Sequence, residues 1–435
     1  MNLDIGLLPE RCDVLVVGAG PAGSAAAQLL ARAGREVVLI DQHAFPRDKI
    51  CGDGLIPDAH RALARLGVLE QVMAEARASK TVACIAPRGG RIDVPGTLAV
   101  LPRKRLDQIV CAAAVASGAR MFAPLRFVAP LREGGAAGST GGANGEVAAS
   151  GELAAPGRVI GATLKQGDAV REIRARWVIL ASGAQPQATI AAGMCERRTP
   201  SGIALRGYVK NAAMAACITS LEVVWHKRLS PGYGWIFPCG GDVFNIGVGV
   251  AQSHRDRKGG RHSLPDVNLR EVFGAFKQLY APARELVDGG QWQGEAGHEL
   301  KGAPLRCSLE GARLEAPGLL VTGEAAGTTY SLTGEGIGKA METGILAAEA
   351  ILGSGDETTA RADYAARVMA LKPRFDMYEQ ANRANAHPWL IDLLVWSAKR
   401  SPRRVQRMAG VLEETHIPTD AVTVRGVLRR LFDWR

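Results

Sequence analysis

The apolar and polar positions open on an alternation that belongs to a parallel sheet. Residues 13–41, DVLVVGAGPAGSAAAQLLARAGREVVLID, run from a buried apolar strand through a glycine turn into an Ala/Leu helix. A glycine stop follows, then a second apolar strand ending on Asp41. That order predicts a βαβ unit. Helical spacing returns over 57–76, short strands that leave the first sheet are predicted over 81–101, and a helix returning to it over 102–119. RWVILASGA (176–184) reads as another buried strand. Over 201–250 the positions alternate and end in WIFP and VFNIGVGV, which suits a second, mostly antiparallel sheet. Residues 318–352 repeat strand, glycine-rich loop and long helix, so the chain returns to its first domain late. Helices with scattered aromatics, among them HPWLIDLLVW (387–396), complete the pattern.

Composition narrows the class. With 435 residues, 47% hydrophobic and 22% charged, the chain suits one large or two intertwined soluble domains. From Gly134 to Gly157 nearly every residue is Gly, Ala, Ser, Asn or Glu, and such a stretch forms an exposed loop rather than a core. No run reaches the roughly 18 apolar residues of a membrane span, and the opening residues lack the regions of a signal peptide, so a cytoplasmic location is expected. The eight cysteines are scattered, without CxxC or Cys/His clusters, which predicts free thiols and no metal site.

The net charge of +10 gathers late in the chain. AKRSPRRVQR carries Lys399, Arg400, Arg403, Arg404 and Arg407; RGVLRRLFDWR carries Arg425, Arg429, Arg430 and Arg435. A solvated helix face and peripheral adhesion to an anionic membrane both fit this pattern. Nucleic acid is not expected as a partner, because RNP-like motifs, zinc-finger spacing and heptads are missing.

Gly18, Gly20 and Gly23 fit G-x-G-x-x-G between strand and helix, with Pro21 and Ala22 inside the turn. The first glycine makes the turn, the second admits a pyrophosphate, and the third lets helix pack on strand. Asp41 stands about 20 residues on, where a carboxylate accepts hydrogen bonds from an adenosine ribose. The same glycines could serve a tight turn without a ligand.

Three further stretches carry a resemblance. PRDKICGDGL (46–55), YGWIFPCGGDVFNIGVG (233–249) and GEAAGTTYSLTGEGI (323–337) resemble the FAD-dependent geranylgeranyl reductases, within the p-hydroxybenzoate hydroxylase fold. The resemblance spans about residues 10–400, and the Tyr233-Gly234-Trp235-Ile236-Phe237-Pro238 element is its most particular part. It implies an α/β fold: a Rossmann-like FAD-binding domain (10–80, 102–195 and 303–355) interleaved with a substrate-binding domain built on a mostly antiparallel sheet (81–101 and 196–302), then a C-terminal helical region (356–435).

It also implies roles. Gly323 and Glu324 would meet the ribityl chain, although Glu324 stands where relatives usually have Asp. Thr333, Gly334, Glu335, Gly336 and Ile337 would present backbone N–H groups to the pyrimidine end of the flavin, with Ser331 in place of the usual proline. Arg103 and Arg47 would approach phosphates, and Lys49 joins them as a partner for FAD or for a substrate diphosphate. Ser182 occupies the place of an acid found in hydroxylases. Cys51 and Gly52 would border the isoalloxazine; Cys51 is a redox gate, a weak proton donor or a packed side chain, and Asp53 a loop-fixing acceptor or an acid. Tyr233, Trp235 and Phe237 alternate, so they share a face fit for a prenyl chain, or simply for a sheet core.

The activity so implied is hydride transfer from reduced FAD to an isoprenoid carbon–carbon double bond, with NAD(P)H or an electron-donor protein as reductant. Tyr233, Cys51 or water would be the proton source. A monooxygenase or halogenase of the same fold, and a non-catalytic electron carrier, are the alternatives.

Overall fold

The computed structural model describes residues 2–134, 157–251, 267–294, 297 and 299–415. Most of the predicted low-complexity loop and all of the basic stretch 425–435 lie outside the described residues.

The first sheet has a parallel centre: Leu319–Val321, Ala169–Leu180, Arg11–Val17, Val37–Ile40 and Arg120–Phe122 lie side by side in that order. Successive residues of the strand Arg11–Val17 serve opposite faces. Val14 and Val16 pack beneath the helix Pro21–Arg32 and the late helix Ile337–Gly353, whereas Leu15 and Val17 join Val38, Ile40 and Phe122 on the other side. The two helices cross so closely that a Cβ at Gly344 would lie 2.1 Å from the Ala22 carbonyl oxygen. This crossing accounts for the Gly/Ala richness of both segments and seats a late helix on the first one.

The sheet is larger than the sequence pattern predicts. The strand containing Trp177 starts at Ala169 and forms an antiparallel extension with Val159–Gln166 and Arg126–Arg132. The predicted helix over 57–76 is two helices, Pro57–Leu66 and Leu69–Glu75, because Gly67 ends the first at φ +73.

The second sheet runs Gln291–Gln293, Gly202–Lys210, Val243–Ala251, Gly232–Gly240, Leu221–Val224, Arg77–Ile85, Arg91–Val100 and Gly54–Leu55, with Lys301–Leu305 also on Gly202–Lys210. All neighbours are antiparallel except Leu221–Val224 with Arg77–Ile85. Its outer face holds Ile236, Ile246 and Val248 against the helices Leu269–Leu279 and Ala281–Asp288. Gly234 leaves room there for the Phe276 ring, 2.6 Å from where its Cβ would stand. The inner face turns Trp235 and Phe237 toward Gly52 and Gly54.

Five helices, from Glu357–Met369 to Pro402–Leu412, close the described chain. No described helix is long and apolar enough to cross a membrane. All eight cysteines are free thiols.

Candidate active site

The loops that follow the parallel strands converge at their C-terminal ends, where open α/β sheets bind ligands. Gly18 turns with φ +105, and a Cβ on it would lie 2.3 Å from the Ala181 carbonyl. At Gly23 a Cβ would lie 1.8 Å from the Gly18 carbonyl oxygen, so this turn cannot carry a side chain. Ala22, Ala181 and Ala340 pack together, and Gly323 approaches Ala22 within 2.6 Å of its would-be Cβ. Three loops distant in sequence thus meet over one helix start.

Gly20 differs from its neighbours. The nearest atoms to a Cβ built there are guanidinium nitrogens, Arg47 Nη2 at 3.6 Å and Arg103 Nη2 at 3.9 Å. No side chain caps the helix that begins at Pro21. A helix N-terminus with two converging guanidiniums suits a pyrophosphate, so the residues present fit FAD at this end. Both arginines are aimed by carboxylates: Arg47 donates to Asp41 at 3.1 Å and to Asp107 at 3.0 Å, and Arg103 bonds Asp107 through Nε at 2.7 Å and Nη2 at 2.9 Å. Asp41 also accepts from the Ala19 N–H at 3.0 Å, which ties it to the glycine turn.

The stretch Arg47-Asp48-Lys49 sends consecutive charges to three places. Arg47 faces the first sheet. Asp48 accepts from Arg206 of the second sheet, whose guanidinium lies 4.3 Å from the Tyr208 ring centroid. Lys49 Nζ stands 3.9 Å from Glu324, in the turn that follows the strand Leu319–Val321. The stretch is therefore tied to elements of both sheets just before Cys51.

Asp53 is the pivot of that loop. It is fully buried and has φ +64, a conformation Asp tolerates better than most residues. Its Oδ1 accepts from the Arg103 N–H at 3.1 Å; its Oδ2 accepts from Asn245 Nδ2 at 2.8 Å and from the Tyr208 hydroxyl. Burial raises its pKa to about 6, against the hydrogen bonds from Tyr208 and Asn245 and the charge of Arg206. Asn245 also donates to the Cys51 carbonyl at 2.7 Å and accepts from Trp235 Nε1 at 2.9 Å. One amide thus couples the cysteine loop to the aromatic strand. Burial pushes the Cys51 thiol up, against the nearby positive charge of Arg103, so it is held neutral.

Tyr233, Trp235 and Phe237 do share a face, with ring centroids 6.3 and 6.4 Å apart. A Cβ on Gly52 would meet Phe237 Cε2 at 3.3 Å and Trp235 Nε1 at 3.7 Å. The Tyr233 hydroxyl donates to the Thr333 carbonyl, and burial raises its pKa. Across this contact lies the segment Thr333–Gly336, where Thr333 Oγ1 donates to Glu335 at 3.0 Å ahead of the helix starting at Ile337. Burial, with the Asp58 charge behind it, raises Glu335 to about 8.

The structure brings together the residues selected by sequence, around the ends of one sheet and one face of the other. Sequence reasoning missed Tyr208, Asn245 and Arg206 and gave Asp107 no role. Asn245 left a signal, an amide inside an otherwise apolar strand, where Asn is disfavoured unless it has a partner. Asp107 left another, standing four residues after Arg103 on a helix.

Comparisons with known proteins agree with this construction. Residues 11–146 match an FAD binding domain. Menaquinone reductase of Mycolicibacterium smegmatis is 32% identical over 358 residues, 79% of this chain and 77% of that protein. Digeranylgeranylglycerophospholipid reductase 1 of Methanopyrus kandleri is 28% identical, covering 82% and 84%. In structure, a geranylgeranyl bacteriochlorophyll reductase-like protein from Thermoplasma acidophilum superposes with a TM-score of 0.70 at 21% identity over 98% of this chain and 96% of the other. With its glycine turn, paired arginines and aromatic strand in place, the chain belongs to the geranylgeranyl reductase family of FAD-dependent oxidoreductases.

Proposed function

We propose that this enzyme reduces a carbon–carbon double bond in a prenyl chain borne by a quinone or lipid. The observation that carries the reading is the wall of Tyr233, Trp235 and Phe237 set against Gly52 and Gly54 of the cysteine loop. An aromatic wall facing glycines at positions 52 and 54 suits a long apolar chain whose binding comes from buried area. The names of the relatives point the same way, since menaquinone and digeranylgeranylglycerophospholipid share an unsaturated polyprenyl chain.

FAD held at the Gly18–Gly23 turn would have Arg47 and Arg103 for its pyrophosphate and Glu324 and Thr333–Ile337 for its flavin half, and would supply the hydride once reduced by NAD(P)H or an electron-carrier protein. The second hydrogen is a proton. Tyr233 is committed to the Thr333 carbonyl and serves to hold that loop in place. Cys51 retains its proton, and the guanidinium of Arg103 beside it stabilises the thiolate left after transfer. Asp53 accepts at both oxygens and fixes the backbone that carries Cys51.

The test is anaerobic. Reduced protein is mixed with a geranylgeranyl compound while cofactor absorbance and product mass are followed together. Reoxidation with a gain of two hydrogens per bond supports the reading. Reoxidation that waits for oxygen and yields an oxygenated or halogenated product would establish a monooxygenase or halogenase instead, and electron transfer without product would leave a carrier.

A further inference from the structure

The helix Trp389–Ala398 is apolar on two opposite sides. Ile391, Val395 and Ala398 face inward, in one cluster with Trp225, and Tyr233 and Leu332 pack against that cluster. On the other side Trp389 is 52% exposed, Trp396 is 44% exposed, and Leu393 lies half-buried between them at i, i+4 and i+7 spacing. A soluble protein seldom leaves two tryptophans uncovered on one helix, and a helix apolar all round is one that something else covers.

Charge indicates what covers it. Lys399, Arg400, Arg403 and Arg407 are exposed just beyond the stripe, with the Arg400 guanidinium 3.9 Å from the Trp396 ring centroid. The single acid of the helix, Asp392, is occupied by the Arg88 N–H at 3.1 Å. Tryptophan at the rim of an apolar stripe, followed by a row of cations, is the pattern of a surface that sits at the headgroup level of an anionic bilayer.

We propose that Trp389, Leu393 and Trp396, with Lys399, Arg400, Arg403 and Arg407, dock this protein on an anionic membrane surface. The inner side of the same helix touches the cluster that supports Tyr233, and Trp225 Nε1 donates to Asn385 Oδ1 at 2.7 Å just before the helix begins. The docked face therefore stands one helix away from the aromatic wall. This second part rests on the prenyl reading above, because it makes the bilayer the source of the substrate.

The experiment is vesicle flotation of the full-length, FAD-loaded protein. Vesicles of phosphatidylcholine alone are compared with vesicles holding roughly one-third phosphatidylglycerol, enough to give an anionic surface. Binding is expected only to the anionic vesicles. W389A/W396A should lower the affinity at least about tenfold, and each of R400Q and R403Q about fivefold.

Cofactor content of the tryptophan variant should match wild type, as should its turnover of a short, soluble prenyl compound. Those two readouts separate failure of docking from failure of the prenyl reading, which would abolish turnover yet leave flotation intact. The proposal is overturned if wild type ignores anionic vesicles. It is overturned equally if W389A/W396A binds them undiminished while R425Q/R429Q/R430Q does not, or if W389A/W396A turns a lipid-free dimer into a monomer, which would give the face to a second copy.

Discussion

The Trp235 indole lies where a side chain on Gly247 would stand: the two residues pair across adjacent strands, and a Cβ on Gly247 would be 2.4 Å from Trp235 Cζ2. The glycines that follow the aromatic element are thus its complement, the flat floor on which the ring lies. G247A should destabilise the fold by about 2–3 kcal/mol, because the Cβ would also meet the Leu205 carbonyl at 2.4 Å. G249A, whose Cβ would find Trp235 Cζ3 at an ordinary 3.5 Å, should stay within about 1 kcal/mol of wild type. Urea unfolding of the two variants checks this, and equal tolerance would remove the packing account.

Gly20 offers a cleaner test of the cofactor site, because it separates fold from ligand. Nothing but the two guanidiniums lies within 4 Å of a Cβ there, so G20A should fold with the stability of wild-type apoprotein. It should nevertheless lose FAD affinity by roughly a hundredfold, since the methyl would occupy the space in which a pyrophosphate meets the backbone. Titration of apoprotein with FAD, read by flavin fluorescence, gives the answer. Unchanged affinity would place the pyrophosphate elsewhere.

Asp53 and Asn245 should behave as one unit. D53A strands the Tyr208 hydroxyl and the Arg103 N–H in the interior and takes one acceptor from the Asn245 amide; N245A strands the Cys51 carbonyl and the Trp235 indole N–H and takes one donor from Asp53. Each should lose about 2–4 kcal/mol. The double variant should recover about 1–2 kcal/mol of the summed loss, the signature of coupled groups. Strict additivity in urea melts would mean that the two side chains act separately.

A division of labour between Cys51 and Tyr233 is also expected. Y233F loses a hydrogen bond to the Thr333 carbonyl, about 1 kcal/mol, and should keep turnover within about fivefold with a faster loss of FAD. C51A should retain FAD and its reduction but lower alkene reduction by at least about a hundredfold, with C51S between them. Rapid-mixing kinetics separates cofactor reduction from product formation. A fully active C51A would leave water as the proton source.

Much of this site was legible in the sequence because its pieces are backbone devices. Gly18, Gly20, Gly23 and Gly334 report where a chain must turn or let another atom approach, and such demands show in one dimension. The alternation of Tyr233, Trp235 and Phe237 likewise reports a shared face. Tyr208 was not legible, and Asn245 only as an amide out of place in an apolar strand, since what they do lies in meeting Asp53 across 155 and 192 residues of chain. The hairpin Arg126–Arg132 with Val159–Gln166 was hidden for a related reason: it adds to the sheet edge by long-range pairing, with the low-complexity run between its strands masking the signal. The basic residues 399–407 were legible as a solvated face or a membrane-adhering one; the tryptophan stripe that gives them direction depends on which side of the helix Trp389–Ala398 faces inward, and that is set by packing.

Asp58 supplies one pH dependence of stability. Its carboxylate lies against Gly338 at the start of the helix after the segment Thr333–Gly336, Oδ1 has no hydrogen-bond partner, and Lys339 Nζ is 3.9 Å from Oδ2. Burial raises its pKa to about 7 from an ordinary 3.8, only partly offset by Lys339. A raised carboxyl pKa means that the folded state keeps a proton that the unfolded chain gives up. The stability this proton contributes is complete below about pH 4 and gone once the pH has passed about 7, with a size of the order of 2–4 kcal/mol. The amide introduced by D58N has no such proton to lose, so the stability of wild type relative to D58N should fall steadily as pH rises from about 4 to about 7 and level off above it. Thermal melts of both proteins at closely spaced pH values measure the difference. A difference that stays flat across that window would mean that Asp58 is ionised throughout and paired with Lys339.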